Sequence, residues 1–583
     1  MGLLMRKPCA PLGMGPRASA ALVAALVTVA CGSGSETASS GSGGASGAGA
    51  PPGGWGGGGA AATGGGVVAD AGPEPPPCPT PPATGWQSNI VHYDATGHLV
   101  YESDENQNRV PDFSYAGYRN GDVPLPSVPM AVELSPVSGD NTASIQAAID
   151  QLAGQPADAN GFRGAVVLAA GTWEIAGTIY LNASGIVLRG AGRTDDPAAA
   201  TILRATGNTP AHREVIVAGS GTNDRWAPEV AGTRTNITTD FVPVGSREVQ
   251  VESTAALHVG DNVIIHHPCT QAWIDAVDKG GASTGVWNAG DLPIVFNRRI
   301  VAIDGNTVRI DAPAFNHLDR LLSQSYLYVA DRAGVVTNVG IENVRVDIVA
   351  ASSTDENHAW SAIALVGVED AWVSEVSALH FGYAAVTIRT GTRITCYDVH
   401  AINPAATVVG GNMYNFDVSG GQQVLFTGCH AQNGRHHYVS NGTTYTSGVV
   451  FHRSTSSRAY DSSEGHRRWS MGLLYDNIAE DNPHNPGDRL IGLYNRGTWG
   501  TVHGWAAAHS VAWNYDTSSG HGIIQRPPTA QNYAIGGKGQ MTGTNPPAPF
   551  DGPPGYIEGI GQAGLVPESL YEAQLLDRRC APR

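Results

Sequence analysis

The sequence predicts an all-β fold whose short strands wind into a stacked solenoid, and three observations carry that expectation. Gly supplies 75 of 583 residues, charged side chains only 15%, and helix-forming runs are scarce. That is the composition of a turn-rich β protein. Apolar triplets recur as GIENVRVDI (340–348), EDAWVSEVSAL (369–379), TRITCYDVHA (392–401), QQVLFTGCHA (422–431), SGVVFHRS (447–454) and SMGLLYDNI (470–478). Their first residues, Gly340, Glu369, Thr392, Gln422, Ser447 and Ser470, stand 29, 23, 30, 25 and 23 apart. A coil of three short strands needs roughly two dozen residues, so the repeats read as stacking units. Within each triplet apolar residues alternate (Val344, Val346, Ile348; Val424, Phe426), which puts every second side chain inside.

Residues 1–31 read as an export signal. Arg6, Lys7 and Arg17 precede the apolar run Ala18 to Ala30, too short for a permanent span. The run ends Thr28-Val29-Ala30-Cys31 before a Gly/Ser tract, which resembles a bacterial lipoprotein cleavage site, with Thr28 where leucine is usual. That resemblance implies lipidation at Cys31, a membrane partner reached through the lipid, and a place on the outer membrane or cell surface; otherwise the protein is secreted. Residues 32–84 carry Gly, Ser, Ala and Pro with little aliphatic bulk, so they read as a linker without a core. After Cys31 the cysteines are Cys78, Cys269, Cys396, Cys429 and Cys580. An odd number at these spacings argues against a disulfide framework and leaves room for one bridge or stacked core thiols.

The ordered chain is expected in four parts. Residues 85–214 hold the first coils and the clearest helix, GDNTASIQAAIDQLAGQ, in which Asn141 or Thr142 caps and Ile145, Ala148, Ile149 and Leu152 share one face. The strands of GAVVLAAGTWEIAGTIYLNASGIVLRGAG (164–192) follow at once, so the helix should cover the open end of the solenoid. Residues 215–330 break the rhythm with hairpin-like segments and a turn at Asp304-Gly305, and read as a small inserted β-module. Residues 331–535 form the main coils. The tail 536–583 contains VPESLYEAQLLDRR, an amphipathic helix placed to cover the far end.

The pattern GDNTASIQAAID, then GTWEIAGTIYLNASGIVLRGAG, then repeated coils, resembles the pectate-lyase-like right-handed parallel β-helix superfamily over about residues 120–530. The resemblance implies that fold. It implies carbohydrate chemistry only broadly, because the superfamily includes uronate-polysaccharide lyases, glycoside hydrolases, epimerases and phage tailspikes. The catalytic strings of calcium-dependent pectate lyases and the paired-Asp strings of polygalacturonases are absent. No catalytic residue carries over from either.

Candidate chemistry concentrates in residues 430–470. In a chain of net charge −17, Arg435, Arg453, Arg458, Arg467 and Arg468 there face only Asp461 and Glu464, among five histidines. Arg, His and Tyr gather where an anion is held and a proton moved. Arg435 and Arg467 suit a clamp on a carboxylate. His436 or His466 suits the base, and Tyr438, Tyr460 or His503 the acid. Trp360, Trp469 and Trp505 offer faces for sugar rings, with His358, Arg468 and Arg496 as further contacts. One coil of separation would bring distant turns about 5 Å apart on one groove. The expected activity is cleavage of an acidic, uronate-containing polysaccharide by β-elimination. A glycoside hydrolase on the same scaffold is the first alternative, with Asp355, Glu356, Asp461 and Glu464 as its carboxylates; these four could instead ligate calcium. A non-catalytic carbohydrate-binding adhesin is the second. A monomer is expected. A pI near 5.5 and the absence of a basic helix argue against nucleic acid.

Overall fold

The structure, a computed structural model, describes residues 84–221, 226–282, 287–485, 487–544 and 552–580. The export signal, Cys31 and the linker up to residue 83 lie outside the described residues. The chain winds as a right-handed parallel β-helix with a capping helix and an inserted β-module. Glu369 pairs with Thr392, Thr392 with Gln422, and Gln422 with Ser447, so four of the recurrent triplet starts occupy one column. The two outer starts are offset: Thr337, not Gly340, pairs with Glu369, and Met471, not Ser470, pairs with Ser447. Unequal coil lengths come from loops leaving the same turn, 404–412 in the coil from Thr392 to Gln422 and 351–358 in the coil before Glu369.

Each coil bends where a residue takes a left-handed conformation. Asn343, Glu375, Asp398, Arg453, Asn477 and Asn514 have φ between 50° and 55°, apart from Arg453 at 42°. Each follows the end of a register-matched strand. Asn and Asp tolerate this region best, and Glu or Arg there is held by the stacking of neighbours. Inside, like residues stack from rung to rung: Phe426 on Phe451 at 5.1 Å between ring centroids and Phe451 on Tyr475 at 5.0 Å. Each such pair contributes about 0.5–1.5 kcal/mol beyond area burial. Cys396 and Cys429 are free thiols buried in this core, and Cys580 is disulfide-bonded.

The first helix spans Thr142–Ala153 and buries Ile145, Ala148, Ile149 and Leu152 against the first coils. Its start is held differently from the expectation. Asn141 turns back to bond Val137 and Gly139, while Oδ1 of Asp140 accepts from the backbone N–H of Thr142 (3.0 Å) and from its hydroxyl (2.6 Å). Between the strands Glu214–Ala218 and Val336–Glu342 the chain leaves the solenoid to build an antiparallel sheet of Thr235–Asn236, Tyr326–Val329, Asn262–His267, Ile294–Asp304, Thr307–Ile310 and Glu248–Gln250. Asp304 pairs with Thr307, so the hairpin loop is Gly305-Asn306, one residue later than read from sequence.

The C-terminal helix, Leu570–Cys580, does not cover the far end. It lies along the flank, where Oδ2 of Asp476 accepts from Ser569 Oγ and Tyr571 N at 2.7 Å each, and where Gln574 bonds Phe113 and Pro111. Its apolar face has a better partner in the outward side chains of the coils than in a strand edge. Among the described residues no helix is long and apolar enough to cross a membrane.

Candidate active site

A cleft of about 690 Å³ opens on one side of the solenoid, lined by Tyr414, Arg435, His466, Arg467, Arg489 and His503 among others. The winding assembles it. Tyr414 and His436 begin strands paired in adjacent rungs, and their rings stack at 5.6 Å and 14°. Ser440 pairs with Gly465 in the next rung, which delivers His466 and Arg467 just past the strand end. The ring centroids of His436 and His466 lie 4.8 Å apart, as do those of His466 and His503. Histidines separated by 30 and 37 residues thus meet.

Glu464 organises the floor. It is fully buried, and its Oε1 receives Nδ1 of His466 at 2.5 Å and Nη1 of Arg496 at 2.6 Å. Oε2 accepts from Ser462 Oγ at 2.9 Å and Tyr494 OH at 3.4 Å. Nδ1 of His466 is thus held in the floor between the Glu464 carboxylate and the Arg496 guanidinium, which leaves Nε2 as the nitrogen turned away from them. Burial first, then the Arg496 charge, pushes the His466 pKa well below its ordinary value, so the ring is neutral. His503 is lowered to about 3 by burial and then by Arg496. Gly500 permits its approach: at φ 57° and ψ −118° only Gly is comfortable, and a Cβ there would lie 2.3 Å from Nε2 of His503.

Cations converge on this neutral pair. Arg435 reaches Tyr414 OH at 3.4 Å, Arg467 Nε donates to Asn441 O at 2.8 Å, and Arg489 pairs with Asp461 at 3.0 Å. Trp499 lies over Arg489 and Arg496, 5.3 and 5.5 Å from ring centroid to guanidinium carbon. Burial raises the Tyr414 pKa, with Arg435 pulling the other way, so the phenol keeps its proton. Asp461 remains ionised: burial opposes its charge, but His436, Arg489 and Arg496 outweigh it and hold its pKa below the ordinary range.

The turn after Arg467 is strained. Arg468 and Trp469 both have positive φ, 52° and 63°, and so does the β-branched Val502 at 61°. Packing offsets this cost of about 1–2 kcal/mol per residue. The Trp469 indole is fully buried, bonds Asn316 Oδ1 at 2.8 Å and meets Trp273 of the inserted module edge-on at 5.9 Å.

Several residues expected at the site are therefore elsewhere. Trp469 is a core side chain, and so is Trp505, packed among module residues at 4% exposure. Tyr438 is fully buried, stacked on Phe416 at 5.4 Å, and its hydroxyl donates to Thr455 O and Cys429 O. His436 lies beneath the cleft, fully buried, with Nδ1 donating to Ser462 O at 2.7 Å. Arg468 holds the backbone of Thr501 and Val502. Tyr460 stacks on His484 at 3.6 Å and lines a different hollow. Trp360 stacks on His212 at 4.0 Å, while buried His358 bonds the carbonyls of Ala359, Asp355 and Ala405. The calcium set does not assemble. Asp355 ties its own loop through Ala351 N and Asn357 N, and Glu356 bonds Thr407 and Asn412, whereas Asp461 and Glu464 are held by arginines. His436, Glu464 and His466 do bring ligand atoms within 4.8 Å of one another, but the Arg496 guanidinium already supplies the cation at Glu464.

Reading the sequence missed Tyr414 and Arg489 as cleft residues. Tyr414 sits in an unremarkable YNFDV strand, and only its pairing with His436 could have flagged it.

No family model and no curated protein matches the chain. Solved structures do resemble it. The tailspike protein gp49 of Pseudomonas phage LKA1 aligns at 15% identity over 69% of this chain and 64% of its own length, with a TM-score of 0.37. The tailspike of E. coli bacteriophage HK620, solved with a pentasaccharide, aligns at 11% over 81% of this chain and 69% of its own, TM-score 0.37. An alginate lyase from Paenibacillus sp. aligns at 10% over 74% and 99%, TM-score 0.36. These are likenesses of winding. The chemistry of the cleft is set by this chain's own side chains.

Proposed function

We propose that the protein cleaves an acidic, uronate-containing polysaccharide by β-elimination. The observation that carries the reading is the meeting of four cleft-lining guanidiniums, Arg435, Arg467, Arg489 and Arg496, with a neutral His466 held through Nδ1 and a protonated Tyr414. Arg435 and Arg467 hold the uronate carboxylate and stabilise the charge that develops on it as C5–H ionises. Nε2 of His466 takes that proton. The C5–H electron pair becomes the C4=C5 double bond, the C4–O bond breaks, and Tyr414 gives its proton to the leaving oxygen. No water is consumed, and the imidazolium returns its proton through solvent to the phenolate.

Hydrolysis is supported less. An inverting or retaining hydrolase needs a second carboxyl group kept protonated at the scissile bond. Asp461 is the one acid among the described residues lining the cleft, and it is ionised and paired with Arg489. An adhesin has no use for a base poised beside arginines. The reading includes export and tethering through lipid on Cys31, supported by the sequence around that residue.

Incubation with alginate, polygalacturonate and glucuronate polymers tests it. Elimination gives new chain ends together with the ultraviolet absorbance of an unsaturated uronate, and loss of both in His466→Ala. Ends without that absorbance mean hydrolysis, and binding without ends means an adhesin. For the anchor, Cys31→Ser should move the protein from the membrane fraction to the medium.

A further inference from the structure

A second hollow, about 530 Å³, lies where the inserted module overhangs the solenoid. Its solenoid wall continues the ridge that carries the cleft. Val418 pairs with Ser440, so Gly420 of the hollow sits one rung from the turn that begins at Asn441 in the cleft. Ile388 pairs with Val418, Leu365 with Ile388, Ala218 with Leu365, and Leu181 with Ala218. Just past these paired residues, Thr390, Gly367, Ser220 and Asn182 all line the hollow. From His466 to Asn182 is six rung steps, or about 29 Å at roughly 4.8 Å each. That distance matches the length of several linked sugars.

The two walls differ in chemistry. The module offers the half-buried Trp226, braced edge-on by His266 at 5.6 Å, beside Ile264 and Val295. The solenoid offers the exposed amide of Asn182 beside Ser220 and Thr390, whose hydroxyl donates to Arg389 O at 2.6 Å. Such a pairing matches the apolar face and the hydroxyl edge of a pyranose. At the base Arg299, Arg332 and Arg393 pair with Glu369 and Asp370, and the partly exposed Arg332 lines the hollow beside Glu369 and Asp331.

We propose that this hollow is a distal saccharide-binding site that takes the same acidic glycan strand whose scissile bond lies in the cleft. It rests on the reading of the cleft as a glycan-cleaving site and adds that recognition extends over several sugars toward the N-terminal coils, with Trp226 as the platform.

Binding of oligogalacturonate and oligoalginate from dimer to octamer, followed by calorimetry on the full chain, tests it. Wild type should bind longer oligomers more tightly until the hollow is filled. Trp226→Ala should weaken octamer binding by about tenfold. Asn182→Glu, an exposed change that places a carboxylate at the far end, should weaken it too, and more at low salt. Octamer affinities equal to wild type in both variants, with wild-type cleavage intact, would overturn the distal site alone. Wild type that neither binds nor cleaves any member would remove the cleft reading, and the distal site with it.

Discussion

Nδ1 of His466 and Oε1 of Glu464 lie 2.5 Å apart in a site where Glu464 has no exposed surface and Arg496 reaches the same oxygen at 2.6 Å. The carboxylate therefore serves two ends. It balances a buried guanidinium, and it directs one nitrogen of the imidazole inward so that the other faces the cleft. Glu464→Gln should destabilise the fold by about 3–5 kcal/mol, because Arg496 keeps its charge and loses its counter-ion. The double variant Glu464→Gln/Arg496→Met should recover most of that stability without recovering turnover. Denaturant unfolding together with activity on the cleaved polymer checks both. Recovery of activity in the double variant would mean that Glu464 acts only through the fold.

Two tyrosines that differ by location separate chemistry from packing. Tyr414 lines the cleft with a raised pKa, whereas Tyr438 donates to two backbone carbonyls inside the solenoid. Tyr414→Phe should lower turnover on the order of a hundredfold to ten-thousandfold, as expected for loss of a general acid, with little change in unfolding. Tyr438→Phe should cost about 1–2 kcal/mol for the hydroxyl's lost hydrogen bonding inside the core, with turnover kept. The reverse pattern would place the acid in the core.

That contrast also marks where the sequence was legible. Periodicity located the coils to within three residues because a stacked apolar interior imposes a strict repeat, and Glu369, Thr392, Gln422 and Ser447 fall in one column. Composition located the basic patch, because arginines in an acidic chain are conspicuous. What single-chain reading could not supply was the direction of each side chain at a turn. His436 and Tyr438 are two residues apart beside Arg435, yet both are buried while Arg435 reaches the cleft. Trp469 follows Arg467 by two residues and is drawn inward by Asn316 and Trp273, which belong to the inserted module. Contacts over 153 residues leave no trace in local pattern.

The guanidiniums should not be interchangeable with ammonium groups. Arg435 reaches the Tyr414 hydroxyl while lying 5.9 Å from the centre of that ring, and Arg467 is aimed by Asn441 O. A lysine carries the charge but not the planar fork that grips a carboxylate through two bonds. Arg435→Lys and Arg467→Lys should each lower kcat/KM by about a hundredfold, with the loss shared between KM and kcat. An ester-capped substrate should show little difference between wild type and variant. A lysine variant at wild-type rate on the charged polymer would show that only net charge matters.

Outside the cleft, in a different hollow, His317 couples stability to pH. Its ring stacks on Phe241 at 5.2 Å and 12°, Nδ1 is buried without a hydrogen bond, and His509 meets it edge-on at 6.2 Å. Burial lowers its pKa to about 4 against the weaker pull of Asp319 and Asp104. The folded state therefore keeps the ring neutral where the unfolded chain, with an ordinary value of 6.5, takes up a proton. The stabilisation is fully present above that ordinary value and is lost as pH falls toward about 4, at up to about 1.4 kcal/mol per pH unit. His317→Phe keeps the stacking partner of Phe241 and removes the titration. Between neutral pH and pH 5 the variant should lose about 2 kcal/mol less than wild type, measured by urea unfolding at both values. Equal losses would mean that His317 is protonated in the folded state, with its charge balanced by Asp319 and Asp104.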